Sequence, residues 1–240
     1  MDQAAPEAPA LALGAGGFVL VAHVEGDEDP AAAADGALAA GASALQVDAS
    51  RLTVRAPGTT GRLPLVAVLR RPGELPAAAG LLRIGAGAGD ERLTPVARSA
   101  RPVLLDADPG RSTRGWLEVA ARLEEQGAGQ VALCAPATGT GPVPHLGAVP
   151  LLRRASRCPL VVDATPAPVP DAAAALARAA AAAGADGVIV RLDQQAAGGG
   201  GLSPAAFAAL ARELDDLAAV LGRRLQRRRI RYVGAARRAG

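Results

Sequence analysis

At 240 residues, half of them apolar, the chain is long enough to bury a large core as one domain or two. It contains no lysine and no asparagine, so all 26 basic side chains are arginine, and Schiff-base chemistry and ammonium contacts are excluded. Two cysteines, Cys134 and Cys158, fit a reducing compartment and cannot form a CxxC metal site.

Residues 1–13 are acidic and Ala/Pro-rich and read as a disordered leader without a signal sequence. From residue 14 to 222 short apolar runs alternate with helical segments. The runs are Phe18–Ala22, Ala44–Val47, Leu65–Leu69, Leu81–Ile84, Val103–Leu105, Val131–Leu133, Leu160–Val162 and Val188–Val190, each bounded by turn residues. Pro30–Ala40 predicts a helix ending at Gly41. Thr113 can cap a helix that puts Trp116, Val119, Ala120 and Leu123 on one face and closes at Gly127. A further helix is expected between His145 and Ser156.

The stretch Cys158–Asp193 sets the topology. Pro159–Val162 is a buried strand ending on Asp163, Asp171 caps an Ala-rich helix that stops at Gly184, and Gly187–Val190 is a second buried strand ending on Arg191. Two apolar strands joined through a helix are parallel, so Asp163 and Arg191 reach the same rim of one sheet. Ser203-Pro204 then opens a last helix with Phe207, Leu210, Leu214, Leu217 and Leu221 on its buried stripe.

Eight strands alternating with helices predict a (β/α)8 barrel, with a doubly wound open sheet as the alternative. Between Val47 and Leu65 the sequence DASRLTVRAPGTTGRLP has no helical period, so the second helix is expected to be reduced or missing. RRPGELPAAAG, after the third strand, has room for two turns at most. Eight of the arginines lie in residues 223–240, which contain no acid; the rest of the chain has 18 arginines against 23 acidic residues. The basicity therefore belongs to a C-terminal tail beyond the last core helix, one whose removal after Gly222 should leave stability nearly unchanged.

The pieces RIGA at 83–86, PVLL at 102–105, STRGWLEVA at 112–120, ALC at 132–134, GAVPLLRR at 147–154, CPLVVD at 158–163, LARAAAAAGADGVIV at 176–190 and LSPAAFAAL at 202–210 follow a familiar order and spacing. Together they resemble the family of 3-deoxy-7-phosphoheptulonate (DAHP) synthase and 3-deoxy-octulosonate 8-phosphate synthase. Those barrels condense phosphoenolpyruvate with an aldose phosphate. The resemblance implies the same barrel, in a biosynthetic pathway; the cytoplasmic location expected of the chain comes from its two cysteines and the lack of a signal sequence or long apolar run.

It does not carry over the family's functional residues. After PVLL the family has Lys-Arg-Gly, whose Lys binds phosphoenolpyruvate; this chain has Asp106-Ala107-Asp108. The family's Cys-Glu-Arg-Gly is Cys134-Ala135-Pro136-Ala137, its Asp-Pro-Ser-His with a metal-ligating His is Asp163-Ala164-Thr165-Pro166, and its metal-binding Glu at the end of the eighth strand is Arg191. The first-strand Gly-Pro-Cys-Ser, source of a fourth ligand, aligns near Val21–Val24, and the acidic loop ligand falls in 196–201, which has no Asp. Arg51 and Arg55 loosely echo the family's phosphate-binding Lys-Pro-Arg-Thr. No metal or cofactor is therefore expected.

The rim candidates are His23, Asp48, Asp106, Cys134, Asp163 and Arg191, none with an assigned catalytic role. They read either as a repurposed pocket, with Asp106 and Asp163 paired to Arg191 or holding a small cation, or as ordinary caps and ion pairs. The run GAGAG at 85–89 lacks the GxGxxG spacing of a nucleotide cradle. Two functions follow as expectations: a degenerate barrel acting as partner or regulator of a related synthase, as a homo- or hetero-oligomer, or an aldol-type enzyme with altered chemistry. The Arg-rich tail is expected to meet a polyanion or an acidic partner.

Overall fold

Runs of Val, Leu and Ile too apolar for either face to meet water form eight strands in the computed structural model, and each pairs only with parallel neighbours. The structure describes residues 11, 13–14, 16–25, 29–52, 63–71, 73–137, 145–167, 170–193 and 201–226. The strands are β1 (Gly17–His23), β2 (Ala44–Asp48), β3 (Leu65–Val68), β4 (Leu81–Gly85), β5 (Pro102–Asp106), β6 (Gln130–Pro136), β7 (Leu160–Asp163) and β8 (Gly187–Arg191). They pair in chain order, and β1 pairs both β8 and β2, so the sheet closes as a (β/α)8 barrel.

Six α-helices surround it among the described residues: α1 (Pro30–Ala39), α2 (Asp90–Arg98), α3 (Thr113–Glu125), α4 (Val149–Ala155), α5 (Pro170–Ala182) and α6 (Pro204–Val220). Ser203 caps α6 as expected, its Oγ accepting from the Ala206 N–H at 3.2 Å. Two caps differ from the sequence reading. Ser112, not Thr113, caps α3 by accepting from the Gly115 N–H, and Asp171 lies inside the first turn of α5, where its charge suits the helix dipole. Leu221 falls past the end of α6 and is exposed, so the buried stripe ends with Leu214 and Ala218.

No α-helix follows β2 or β3 among the described residues. β2 runs into a single 3-10 turn, Ala49–Leu52, and the remainder of that connection, 53–62, lies outside the described residues. Leu52, Leu63, Leu75 and Ala79 cover this wall instead, packed on the outward side chains of the strands.

Two apolar clusters result from the strand alternation. One lies between strands and helices. The other fills the barrel with Val19, Val21, Ala44, Val66, Leu81, Leu104, Ala132, Cys134, Val161 and Ile189. Leu11 and Leu13 join this second cluster, and Gln130, the first residue of β6, donates from Nε2 to the Leu13 carbonyl. The end of the supposed leader thus plugs the N-terminal mouth of the barrel; residues 1–10 lie outside the described ones.

The start of the supposed tail is also built in. Arg224–Leu225 forms β9, pairing with Gly17 and Phe18 ahead of the stretch of β1 that meets β8. Arg223 bonds Asp186 at 2.7 Å and the Gly17 carbonyl at 2.9 Å, and its guanidinium lies 5.8 Å from the centroid of the Phe18 ring. Asp186 is buried, and it also accepts from Arg153 and from the Leu160 N–H. Residues 227–240 lie outside the described residues, and no described helix is long and apolar enough to cross a membrane.

Candidate functional site at the barrel mouth

Alternation that points Val21, Ala44, Leu81, Leu104, Ala132, Val161 and Ile189 into the barrel points the residue two further along each strand into its C-terminal mouth. Those residues are His23, Gln46, Arg83, Asp106, Cys134, Asp163 and Arg191. This is the end of the barrel where enzymes of the fold place their chemistry.

Arg83 is the centre. Its Nε donates to both carboxylate oxygens of Asp106, at 2.9 and 3.1 Å, its Nη1 donates to Gln46 Oε1 at 2.9 Å, and its Nη2 donates to Asp163. Thr165 completes Asp163 with its hydroxyl at 2.7 Å and its backbone N–H at 2.9 Å. Gln46 in turn faces His23 Nδ1 from Nε2 at 3.1 Å. Burial opposes the charge on Arg83, yet the carboxylates of Asp163 and Asp106 outweigh burial and raise its pKa, so the guanidinium stays protonated.

The two carboxylates around it titrate in opposite directions. Burial raises the Asp163 carboxyl, but Arg83 and the two Thr165 donors overcome it and hold Asp163 below the usual carboxylate range. At Asp106 burial wins over Arg83, and the pKa is raised. Burial pushes the Cys134 thiol well up, so it stays protonated beside Asp106. Burial likewise lowers the pKa of His23 against the pull of Asp163 and Glu25.

The sequence candidates divide accordingly. His23, Asp106, Cys134 and Asp163 meet in one network. Arg191 does not pair with Asp163 or Asp106; its Nη2 bonds Glu25 at 2.7 Å, because Arg83 already reaches across the lumen to both aspartates. Asp48 stands apart, bound by Arg70 and Ser50. Arg51 donates to the Val24 carbonyl, and Arg55 lies outside the described residues. Arg83, Gln46, Glu25 and Thr165 were not singled out from sequence, although Arg83 stands two residues after inward Leu81.

The donor set does not fit a divalent metal. Asp106 and Asp163 spend their oxygens on Arg83, and among the described residues no three His, Cys, Asp or Glu side chains gather as ligands. The glycine run after β4 is not an anion cradle either. A Cβ on Gly87 would lie 2.5 Å from Asp108 Oδ2, and one on Gly89 2.2 Å from Glu91 Oε2, so carboxylates lie over this loop.

No protein-family model matches the sequence, and no curated protein is found to be similar to it. Solved structures are. A truncated 3-deoxy-D-arabino-heptulosonate 7-phosphate synthase from Thermotoga maritima superposes with a TM-score of 0.75 at 25% identity, over 92% of this chain and 95% of that one. This is a DAHP synthase-like barrel. A phospho-2-dehydro-3-deoxyheptonate aldolase (DAHP synthase) structure from the same organism gives 0.76 at 23% identity, over 89% and 72% of the two chains. The spore coat polysaccharide biosynthesis protein SpsE of Bacillus subtilis shares the fold, with a TM-score of 0.64 at 16% identity over 85% and 69%.

The network of the DAHP synthase-like barrel makes a pH prediction. A depressed carboxyl contributes stability that is present above its unfolded pKa, near 4, and lost as pH falls through the folded value. Asp163→Asn should therefore cost about 2–3 kcal/mol at pH 7. Its deficit against the parent should shrink below about pH 4. Urea unfolding at pH 7, 4 and 3 reads this; a deficit that does not change with pH would mean that Asp163 is not held ionised by Arg83.

Proposed function

We propose that this DAHP synthase-like barrel no longer joins phosphoenolpyruvate to an aldose phosphate and serves as a partner or regulator of a biosynthetic enzyme. The observation that carries this is the Asp106 carboxylate clasped to Arg83. Where the resembling family puts a lysine on phosphoenolpyruvate, this chain has an anion, and the cation beside it is already bound by two carboxylates. Phosphorylated substrates need uncommitted cations aimed at developing charge. Reversing a charge in a dry pocket costs on the order of several kcal/mol. On this reading no metal is used, because the positions that ligate it in the family hold Arg191, Pro166 and no loop acid.

Purified protein given phosphoenolpyruvate, Mn²⁺ and either erythrose 4-phosphate or arabinose 5-phosphate is expected to release no phosphate above background. Turnover within tenfold of an intact synthase would overturn the proposal.

One observation favours a second reading, an aldol-type synthase or lyase acting on a related sugar or keto-acid phosphate. Asp106 is a carboxyl in the mouth whose pKa burial has raised, the property of a group suited to moving a proton. That reading requires loss of a supplied keto acid or sugar phosphate in the same assay, even without phosphate release. A cytoplasmic location and an oligomer with a related synthase accompany the first reading.

A further inference from the structure

His23 and Arg191 are register partners on neighbouring strands, β1 and β8, and both face the mouth. Both also meet one carboxylate. Glu25, two residues beyond β1, lies 2.7 Å from Arg191 Nη2 and 3.5 Å from His23 Nε2.

The protonation of that histidine follows from its neighbours. Arg83 Nη1 can only donate, so the Gln46 atom facing it at 2.9 Å is the carbonyl Oε1. The Gln46 amide nitrogen is then the atom 3.1 Å from His23 Nδ1, and it donates, which makes Nδ1 an acceptor. The ring proton of neutral His23 therefore sits on Nε2, directed at Glu25. Gln46 is only 2% exposed and cannot turn to water, so the buried bonds to Arg83 fix this donor. A guanidinium and a fixed N–H that converge from adjacent strands form a two-donor fork for a carboxylate.

The group occupying the fork is weakly committed. The Glu25 side chain is 52% exposed, and it makes no other polar contact among the described residues. Exchanging it for a ligand carboxylate conserves charge. Asp163 is near enough to act electrostatically on His23, so a second negative charge on the ligand would be opposed there and a monocarboxylate fits better than a phosphate.

We infer that His23 and Arg191 form a binding site for the carboxylate of a small monocarboxylic acid, and that Glu25 occupies it as a tethered stand-in that such a ligand displaces. This goes beyond the loss of condensation and holds or fails independently of it, because it involves no phosphate and no bond making.

Sodium pyruvate is the probe, titrated against sodium chloride at matched ionic strength into the full chain and into Glu25→Gln. The chain has two histidines, so the side-chain ¹⁵N–¹H signals of His23 and His145 are readily separated. Glu25→Gln is expected to bind pyruvate at least tenfold more tightly than the parent, shifting the Nε2–H signal of His23 but not His145. Adding Arg191→Gln should abolish binding, and adding Arg191→Lys instead should weaken it while keeping a charge at the site. The inference is overturned if pyruvate acts like chloride on Glu25→Gln. It is overturned equally if binding survives Arg191→Gln, or if ¹⁵N shifts place the neutral His23 proton on Nδ1.

Discussion

Arg83→Leu is expected to destabilise the protein by about 3–5 kcal/mol at pH 7, because it strands two aspartates in the mouth that now share one guanidinium. The side chains of Arg83 and Asp163 are 11% and 10% exposed and that of Asp106 is 30% exposed, so water can replace little of what is lost at Asp163 and only part of it at Asp106. For a chain of this size that corresponds to a fall of roughly 10 °C in Tm. The triple variant Arg83→Leu, Asp106→Val, Asp163→Val should recover most of the loss, since a packed apolar set close to it in volume commonly equals a buried ionic one. Urea unfolding of the single and triple variants decides it. A single-variant loss under 1 kcal/mol would mean that the aspartates are satisfied without Arg83.

The barrel was legible in the sequence because its signal is local. Runs such as VLLD and VALC are apolar on both faces, which only a covered parallel sheet accommodates, and each stops at a turn residue. Most strand ends were read short, by one residue at Asp106, Asp163 and Arg191 and by three at Pro136, whereas the third strand, read to Leu69, ends at Val68. Asp106 and Asp163 are poor strand formers held in place by ladder bonds from their neighbours. Helix α2 had no cap signature: Gly89 offers no side chain, and Pro95 interrupts the period.

The mouth was half legible. Strand-end position identified His23, Asp106, Cys134 and Asp163, but pairing there is set across the lumen. Arg83 reaches from β4 to Asp163 on β7, 80 residues away in sequence, whereas the ends of two consecutive strands on one rim suggested Asp163 with Arg191. A lone arginine in LLRIG reads as a surface residue until the inward parity of Leu81 is known. The resemblance pointed to what is missing at 106 and 191 without showing that the aspartates and Arg83 had closed on one another.

Removal of the C-terminus tests where the domain ends. Truncation after Gly222 should cost at least about 3 kcal/mol, because it deletes Arg223 and leaves the carboxylate of Asp186 with one fewer cation at a site 4% exposed. It also removes Leu225, 6% exposed, whose burial alone is worth about 1.5–3 kcal/mol. Arg153 still reaches Asp186 from a half-exposed position, so the loss falls short of that for an isolated buried charge. Truncation after Gln226 keeps β9 and the Arg223 bonds and should change stability by no more than about 0.5 kcal/mol. That shorter deletion still removes six of the eight terminal arginines, and with them any affinity for heparin that falls steeply between 50 and 200 mM salt. Equal stability of the two truncated chains would show that β9 contributes nothing to the barrel. Salt-insensitive heparin binding that survives both would place the polyanion site on the barrel itself.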